Sequence, residues 1–342
     1  MKLLVDQLAD LTALRDRDAL DAALVSTLNE LLHPISLGIH RLVGPSHDQR
    51  WLRCLMMQDG VVSAAANQSW IELEELPLVG QFPRRQLALT EHQPVKCNAL
   101  DGCVFPLATQ TASSGVLEIV GHELMSDESM RLVSAVLRLY QNFQGLLDYG
   151  ERDALTDLLN RKTFDGAFLK ATTSHFETPE AISNDRRQAI GAGSYWLAVL
   201  DIDHFKRVND NFGHLIGDEV LLLLARLMRD TFRFHDQLYR FGGEEFVVLM
   251  HCAEDGQAQV ALERLRHQTE THAFPQVGSI TVSIGFTEIR QGDTPSAAFE
   301  RADKAVYFAK EHGRNQVFGY EALVQQGQLT PESEHLGDIE LF

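Results

Sequence analysis

The segment YRFGGEEFVVLM, residues 239–250, decides the fold of the C-terminal half of the chain, because a glycine pair separates two apolar runs. Both runs are rich in β-forming side chains, and a Gly-Gly pair between such runs predicts an antiparallel hairpin. Gly242 and Gly243 can both take φ > 0 without steric strain, so we place the hairpin tip there. Glu244 and Glu245 then start the return strand and point to opposite faces. The pattern predicts either two carboxylates beside a turn that a ligand approaches closely, or a solvated turn with surface acids.

Composition limits the classes of function. The chain has 342 residues, a hydrophobic fraction of 44% and a formal net charge of −18. The length predicts about two domains. The negative charge, without any basic run interleaved with aromatic residues, argues against binding to nucleic acid or to an anionic membrane. The four cysteines lack CxxC or zinc spacing, which favours a reduced, cytoplasmic setting, and we find neither a signal-peptide core nor an apolar run long enough to span a bilayer.

The N-terminal half reads as a helix, several short strands and a long closing helix. Apolar spacing predicts a helix within residues 1–35, and the strand-like runs are residues 36–44, 50–58, 103–109 and 114–121. The closing helix is predicted for residues 127–151. Its apolar residues alternate steps of four and three along a seam formed by Leu132, Val136, Leu139, Phe143 and Leu146. Such a seam is typical of a helix that pairs with a partner helix, and a helix buried against its own domain is the alternative.

Beyond residue 153 the patterns predict helix, strand, helix, hairpin, helix, strand and helix in that order. This order indicates an α+β fold, a mixed sheet with helices packed on it in a ferredoxin-like sandwich. Residues 172–193 are polar and are predicted to form a loop. Gly313 is expected to follow the last helix as its C′ glycine. Residues 320–342 are polar and acidic, and we predict a disordered tail.

Carboxylates also occur at the end of the predicted strand WLAVLDID, where Asp201 and Asp203 precede a turn. Ligand sites favour strand ends of this kind. If the strand lies beside the hairpin, Asp201 and Glu244 converge. Two carboxylates and a main-chain carbonyl would then form a Mg²⁺ site that leaves coordination positions for phosphate. Carboxylates that hold a pair of metal ions are characteristic of phosphoryl and nucleotidyl transfer.

Five motifs occur in order, and together they resemble those of the GGDEF-domain diguanylate cyclases. They are DALTDLLNRKTF, DIDHFKRVNDNFGHLIGDEVL, RFGGEEF, TVSIGF and RADKAVYFAKEHGRNQV. The resemblance covers about residues 153–318 and implies a palm-like nucleotidyl-cyclase domain with a ferredoxin-like core. Such a domain joins two GTP molecules into cyclic di-GMP and releases two pyrophosphates. Since each domain holds one GTP, the resemblance also implies a homodimer.

The resemblance further implies a role for each matching residue. It places two Mg²⁺ or Mn²⁺ ions in each active site, held by Asp201, the Ile202 carbonyl and Glu244. Glu245 would assist the second metal or deprotonate the attacking 3′-hydroxyl, and both roles stay open. The remaining matching residues would bind the substrate. Asn209 and Asp218 would recognise guanine, and Lys310 and Arg314 would bind the terminal phosphates. Phe205 and Lys206 lie in the turn that would meet the phosphates, and Gly242 and Gly243 would let the ligand come close to the backbone.

Arg233 and Asp236 form an RxxD pattern, and five residues separate this pattern from the glycine pair. In the family, the inhibitory site lies at this distance in sequence before the glycine pair. The resemblance therefore implies that cyclic di-GMP binds at Arg233 and Asp236 as an inhibitor. Arginine can fork to guanine O6 and N7, and aspartate can accept from N1 and N2. A surface ion pair is the alternative. Asp157 departs from the family pattern, in which glycine is usual at this position.

The N-terminal half resembles a GAF domain in its order of elements and in the motifs VFPL and GVLEIVG. This implies either an unidentified small ligand or a purely dimerising role. The predicted organisation is a GAF-like regulatory domain (1–126), a linking helix (127–152), a cyclase domain (153–320) and a polar tail (321–342). The sequence predicts an active diguanylate cyclase. A receptor that binds GTP or cyclic di-GMP without turnover is the alternative, although its usual sign, loss of the glycines or of the metal carboxylates, is missing here.

Overall fold

The computed structural model describes residues 11–331, apart from residues 15, 46, 59, 65–70, 98–101, 108–113, 177–192 and 253–255. The chain divides into two compact units, Met1–Arg152 (unit 1) and Asp153–Phe342 (unit 2). Among the helices so described, none is both long and apolar enough to cross a membrane.

Unit 1 is built on an antiparallel sheet with helices on both faces. Its helices are α1 (Arg17–Leu32), α2 (Pro83–Glu91) and α3 (Asp127–Glu151), and its strands are β1 (Ser36–Val43), β2 (Arg50–Gln58), β3 (Val61–Ala64), β4 (Val95–Cys97), β5 (Gly102–Leu107) and β6 (Gly115–Val120). Over the described residues the strand order is β3-β2-β1-β6-β5-β4. The four predicted strands are confirmed as β1, β2, β5 and β6. Residues 108 and 109 of the third predicted strand lie outside the described residues, and so do residues 1–10 of the predicted first helix.

Alternation along the strands of unit 1 separates two apolar layers. In β1, Leu37 and Ile39 join the core that packs against α1 and α3. On the opposite face Trp51 and Val104 pack with Ala88 of α2. Successive side chains of a strand point to opposite faces, so a sheet with both faces covered needs apolar residues at odd and even positions alike. This explains why apolar residues occur at both odd and even positions of β1 and β2.

The predicted seam of α3 is divided between core and surface. Val136 is 2% exposed and lies in the core of unit 1, beside Tyr140. Phe143 packs against the same core. Leu139 and Leu146, by contrast, are 39% and 65% exposed. Steps of four and three drift around a helix of 3.6 residues per turn, so one seam reaches both the buried face and the exposed face.

Unit 2 is a mixed sheet covered by helices on both faces. Its helices are α4 (Arg161–Phe176), α5 (Phe205–Phe212), α6 (His214–Thr231), α7 (Gln257–Thr271), α8 (Pro295–Glu311) and α9 (Tyr320–Gln325), and its strands are β7 (Leu159–Asn160), β8 (Ser194–Ile202), β9 (Gln237–Gly242), β10 (Glu245–Cys252), β11 (Val282–Glu288) and β12 (Val317–Gly319). The strand order is β12-β11-β8-β10-β9-β7 over the described residues. The pairs β11–β12 and β7–β9 are parallel, and the others are antiparallel. The predicted mixed sheet is confirmed.

Strand β8 is central in this sheet, and alternate residues supply the two cores. Ala198, Leu200 and Ile202 face α5, α6 and α7, whereas Leu197 and Val199 face α4 and α8. Burial on both faces fixes the register of β8, because a slip by one residue would exchange the two sets of side chains. The carboxyl end of β8, where the candidate site residues begin, is therefore held rigidly.

Two predictions for unit 2 are wrong in part. The predicted loop does not start at residue 172, because α4 continues to Phe176. Residues 177–192 of the predicted loop lie outside the described residues. The predicted tail begins with α9, in which Tyr320 and Leu323 are buried and pack around Ala305 of α8. Residues 332–342 lie outside the described residues. The C′ position of Gly313 is confirmed by its φ of 112°.

We expect His40 of β1 to make unit 1 sensitive to acid. Burial lowers the pKa of His40 from 6.5 to about 3, and the charges of Arg85 and Arg53 add to this effect. Glu118 Oε2 lies 3.6 Å from His40 Nε2, but Arg85 already pairs with that carboxylate. Because the folded pKa is depressed, full stability is present above the ordinary pKa and is lost as the pH falls below it.

The measurement is urea unfolding of the wild type and of His40→Gln at pH 7 and pH 5. The wild type should lose about 2 kcal/mol more unfolding free energy than the variant over this interval. Equal losses in the two proteins would show that His40 is protonated as easily in the folded chain as in the unfolded one.

Candidate active site

The tip of the β9–β10 hairpin is fixed by an arginine of β9. Gly242 and Gly243 have φ values of 150° and 51°, which confirms the predicted tip. Arg240 Nε and Nη2 donate to the Gly243 carbonyl at 3.2 and 2.9 Å, and Nη1 donates to Asp153 Oδ1 at 2.9 Å. The same carboxylate oxygen accepts from the backbone and hydroxyl of Thr156. Arg240, which sequence reasoning missed, therefore ties the tip to the first turn of unit 2.

Three elements bring charged side chains together at the carboxyl end of β8. Asp201 lies opposite Glu245 of β10 and opposite Ser283 of β11. Lys310 of α8 places its Nζ 2.8 Å from Asp201 Oδ1. Glu244 precedes Glu245 at the tip and is partly buried. The strand end, the hairpin tip and α8 thus meet at one place, and they contribute three carboxylates and one ammonium group.

Burial and neighbouring carboxylates disfavour the charged forms of Asp201 and Glu244. Burial raises the pKa of Asp201, which the Lys310 ammonium opposes and the neighbouring Asp203 reinforces. Burial also raises the pKa of Glu244, and the charges of Asp201 and Glu245 raise it further against the effect of Lys310. Like charges held close together and partly shielded from water disfavour ionisation. A cation between Asp201 and Glu244 would relieve this repulsion.

The donor set at this place suits a hard divalent cation in part. Within the described ranges, no cluster of three His, Cys, Asp or Glu side chains has the geometry of a metal centre. Asp201 and Glu244 supply two carboxylates, and Ile202, the last residue of β8, is the neighbour whose carbonyl could complete the protein ligands. Mg²⁺ is commonly bound through one or two carboxylates together with phosphate oxygens and water. The residues therefore fit a Mg²⁺ or Mn²⁺ ion that shares its coordination sphere with a nucleotide.

The predicted guanine residues lie at the junction of α5 and α6. Asn209 lies against Gly217, and a Cβ atom at position 217 would overlap the Asn209 side-chain oxygen. Asp218 is the next residue of α6 and is exposed. Gly217 therefore permits Asn209 to pack against the first turns of α6, beside Asp218. Sequence reasoning missed this glycine, although its position in the quoted motif GHLIGDE is a visible signal.

The predicted phosphate turn precedes α5. His204 has φ of 59°, and this left-handed residue connects the end of β8 to the first turn of α5. The Phe205 side chain is 5% exposed and belongs to the core, so only its main chain is available to a ligand. Lys206 is exposed at the same turn. The turn therefore offers backbone N–H groups and one ammonium group directly after the Asp201 strand.

Asp203 anchors the turn that carries Arg314. The sequence placed Asp203 at a strand end but did not predict this positioning role. Its carboxylate is 5% exposed and accepts from the hydroxyls of Thr281 and Ser283, both at 2.7 Å, and from the Asn315 backbone N–H at 3.0 Å. Arg314 and Asn315 both have positive φ, 62° and 49°, which is strained for residues other than glycine. The Asn315 side chain is held in addition by Arg266 and Glu270.

We expect Asp203→Asn to destabilise unit 2 by about 2 kcal/mol, because a buried carboxylate loses its charge-assisted hydrogen bonds and the amide brings donors toward donors. The measurement is the urea unfolding midpoint of the full chain. Asp230→Asn is the matched control, since Asp230 is exposed on α6. If both variants unfold like the wild type, Asp203 does not hold the Arg314 turn.

The residues of the predicted inhibitory site form a turn before β9. The Arg233 backbone N–H donates to Asp236 Oδ2 at 2.9 Å, and the Asp236 N–H donates to the Arg233 carbonyl at 3.1 Å. Arg233 itself is exposed. Asp236 therefore caps the turn while the Arg233 side chain reaches the surface, on the same connection that leads into the hairpin tip.

Comparison with known proteins shows that unit 2 is similar to diguanylate cyclases that contain a GGDEF domain. Residues 151–316 match the family model described as "Diguanylate cyclase, GGDEF domain". The diguanylate cyclase DgcP of Pseudomonas aeruginosa is 48% identical over 128 residues, which are 36% of this chain and 19% of that protein. The response regulator PleD of Caulobacter vibrioides is 36% identical over 187 residues, 53% of this chain and 38% of that protein. The chain thus spans less than half the length of either curated relative.

One solved structure is also similar to part of this chain. It is the GGDEF domain of DgcB from Caulobacter crescentus in complex with c-di-GMP, at 34% identity and a TM-score of 0.44. The match covers 50% of this chain and 94% of that chain.

Proposed function

We propose that this chain, whose residues 151–316 form a GGDEF domain, is a diguanylate cyclase that condenses two GTP molecules into cyclic di-GMP and two pyrophosphates. The observation that carries the proposal is the meeting of Asp201, Glu244 and Lys310 at an intact glycine hairpin. The glycines and the acidic residues of the motif are all in place, so nothing in the described residues favours a receptor without turnover.

The acidic residues of the site would hold and activate the reacting groups. Asp201, the Ile202 carbonyl and Glu244 would hold Mg²⁺ or Mn²⁺, two ions per site. Bound there, the ions would neutralise phosphate charge and lower the pKa of the attacking 3′-hydroxyl. Glu245, exposed next to the tip, would assist this binding or accept the hydroxyl proton itself. In both roles Glu245 acts on the group that attacks the α-phosphate.

The basic residues and the α5 turn would bind the phosphates. Lys310 Nζ lies 2.8 Å from Asp201 Oδ1, and it would keep that carboxylate ionised until a nucleotide arrives. Arg314 would then fork to the terminal phosphates, because a guanidinium matches two phosphate oxygens at once. The backbone N–H groups at Phe205 and Lys206 would add the neutral donors that suit an anion.

Guanine recognition would come from Asn209 and Asp218 at the α5–α6 junction. A carboxylate accepts from guanine N1–H and N2–H₂, and adenine offers no matching pair of donors. A site with such polar groups rejects the wrong base strongly, because its own groups would be left unpaired. We therefore propose GTP as the substrate, rather than ATP.

Unit 1 would supply regulation. We propose that it is a GAF-like domain that binds a small molecule or holds two chains together, and that the protein works in the cytoplasm as a homodimer. The antiparallel sheet flanked by helices and the long closing helix α3 support this proposal.

The function is tested by pyrophosphate release from the purified chain with GTP or ATP, each with Mg²⁺. GTP should be turned over, ATP should not, and EDTA should abolish release until Mg²⁺ is restored. Equal turnover of ATP would contradict the assigned guanine site, and release that is insensitive to EDTA would contradict the metal site.

We also expect feedback inhibition by the product through Arg233. The exposed Arg233 guanidinium can fork to guanine O6 and N7. Arg233→Ala should therefore relieve inhibition by added cyclic di-GMP while the initial rate is unchanged. Progress curves with and without added product measure this effect. Arg138→Ala, at an exposed position of α3, is the control; identical inhibition in both variants and the wild type would place the inhibitory site elsewhere.

A further inference from the structure

The face of the unit 1 sheet that α2 covers carries a charged and aromatic cluster that the proposed function does not use. His40 of β1 lies opposite Arg53 of β2, and Leu42 lies opposite Trp51. Residues two apart on a strand share a face and lie about 7 Å apart. The side chains of Trp51 and Arg53 therefore lie on the same face of the sheet as His40. The sheet therefore offers an indole, an imidazole and a guanidinium in one area.

A second arginine reaches this face from α2 and is already neutralised. Arg85 is 7% exposed, and its Nε and Nη2 donate to Glu118 Oε2 at 3.1 and 2.5 Å. Its guanidinium carbon lies 4.0 Å from the Phe82 ring centre and 5.7 Å from that of Trp51. Pairing and stacking fix this group in place. Since Arg85 and Glu118 cancel, the positive charge of Arg53 remains on this face of a chain whose net charge is −18.

One buried donor of the cluster is without an acceptor, and one exposed cation beside it is without an ion pair, among the residues that the structure describes. Trp51 is 1% exposed, and its Nε1 has no hydrogen-bond partner among the residues that the structure describes. Buried indole N–H groups usually have an acceptor. Arg53 is exposed, and the described residues provide no ion pair for it. The neighbouring His40 imidazole is neutral because burial and the two arginines lower its pKa to about 3, so it adds no further positive charge. A negatively charged acceptor would satisfy the Trp51 indole N–H and neutralise the Arg53 guanidinium.

We propose that this face of unit 1 binds a small anion, a metabolite with a carboxylate or phosphate group, held by the Arg53 guanidinium and the Trp51 indole N–H. A guanidinium forks to carboxylate and phosphate alike. The buried indole selects a ligand small enough to enter beside α2, and Arg85 with Phe82 forms the fixed wall. This site belongs to unit 1 alone and stands independently of the cyclase activity.

The test measures the fluorescence of Trp51 in the full chain. Trp70→Phe and Trp196→Phe remove the other two tryptophans, so all tryptophan emission comes from Trp51. Sodium succinate and inorganic phosphate are titrated separately, with sodium chloride at matched ionic strength as the reference. At least one of the two anions should change the Trp51 emission to a plateau, and the comparison between them distinguishes a carboxylate ligand from a phosphate ligand. No saturable change beyond the chloride reference would overturn the proposal.

Arg53→Met in the same background should weaken the apparent affinity at least about tenfold, as expected for loss of a charge-assisted contact. Arg138→Met removes the same charge from an exposed position of α3 and should leave the affinity unchanged. Arg53 is itself exposed, so its replacement should not unfold the chain; a melting curve verifies this. Equal affinities in Arg53→Met and Arg138→Met would show a general charge effect and would overturn the assignment.

Discussion

Glu244→Gln should reduce cyclic di-GMP synthesis by about a hundredfold or more while the fold persists. Glu244 sits at the hairpin tip within the electrostatic influence of Asp201 and Lys310. The amide keeps the shape of the side chain but removes the charge that would bind the metal. Because burial, with further repulsion from Asp201 and Glu245, raises the pKa of Glu244, its neutral replacement should not destabilise the folded chain.

The control for this variant is Glu300→Gln. Glu300 is 65% exposed on α8 and pairs with Lys304 at 3.0 Å, a surface contact worth about 0–1 kcal/mol. Initial rates at saturating GTP and Mg²⁺, together with circular dichroism of both variants, measure the effect. Near-normal activity of Glu244→Gln would remove Glu244 from the metal site and leave Asp201 as its principal ligand.

The second large effect concerns assembly. In the proposed reaction each domain would hold one GTP and two bonds would form, so catalysis should need two chains. Leu139 and Leu146 are exposed on α3, which suits a contact with a second copy. Glutamates at both positions would bring like charges together across such a contact, so activity per chain should fall at least about tenfold at low protein concentration. Phe143 is unsuited to this test because it packs against the core of unit 1.

Leu139→Met with Leu146→Met is the matched variant, since it keeps the apolar surface and should remain active and dimeric. Sedimentation velocity and specific activity over a range of concentrations compare the two proteins. If the glutamate variant stays dimeric and fully active at every concentration, α3 is not the dimer contact and another surface of the chain holds the pair.

The parts of the fold that were predictable from the sequence are those with strong local signals. The hairpin at Gly242 and Gly243 follows from the φ values that only glycine takes easily. The helix Asp127–Glu151 begins at the predicted residue because Ser126 caps it, its hydroxyl accepting from the Ser129 N–H at 3.1 Å. The central strands follow from long apolar runs. In each case the deciding interactions lie within a few residues of one another.

The parts that were not predictable depend on distant residues. Tyr320 and Leu323 stand in a polar stretch, and only their packing on Ala305 turns this stretch into a helix. Asp203 was visible at a strand end, but its partner Asn315 is 112 positions away. Arg240 joins the hairpin tip to Asp153, 87 positions earlier. Local composition carries no information about such contacts, so a positioning residue reads like any other polar residue.

The same limit applies to the candidate active site. The motif order pointed to Asp201 and Glu244, but the ammonium of Lys310 at 2.8 Å from Asp201 is a property of the folded unit. The division of the α3 seam between core and surface is likewise a tertiary result, and it makes Leu146 rather than Phe143 suitable for the dimer test.

The most direct test of the proposed cyclase activity is identification of the product formed from GTP and Mg²⁺ by the purified full chain. Mass spectrometry and phosphate analysis should find cyclic di-GMP and two pyrophosphates for each molecule of it, and Glu244→Gln should form neither. A linear dinucleotide, a cyclic mononucleotide or unchanged GTP under conditions where the chain is folded and dimeric would contradict the activity proposed here.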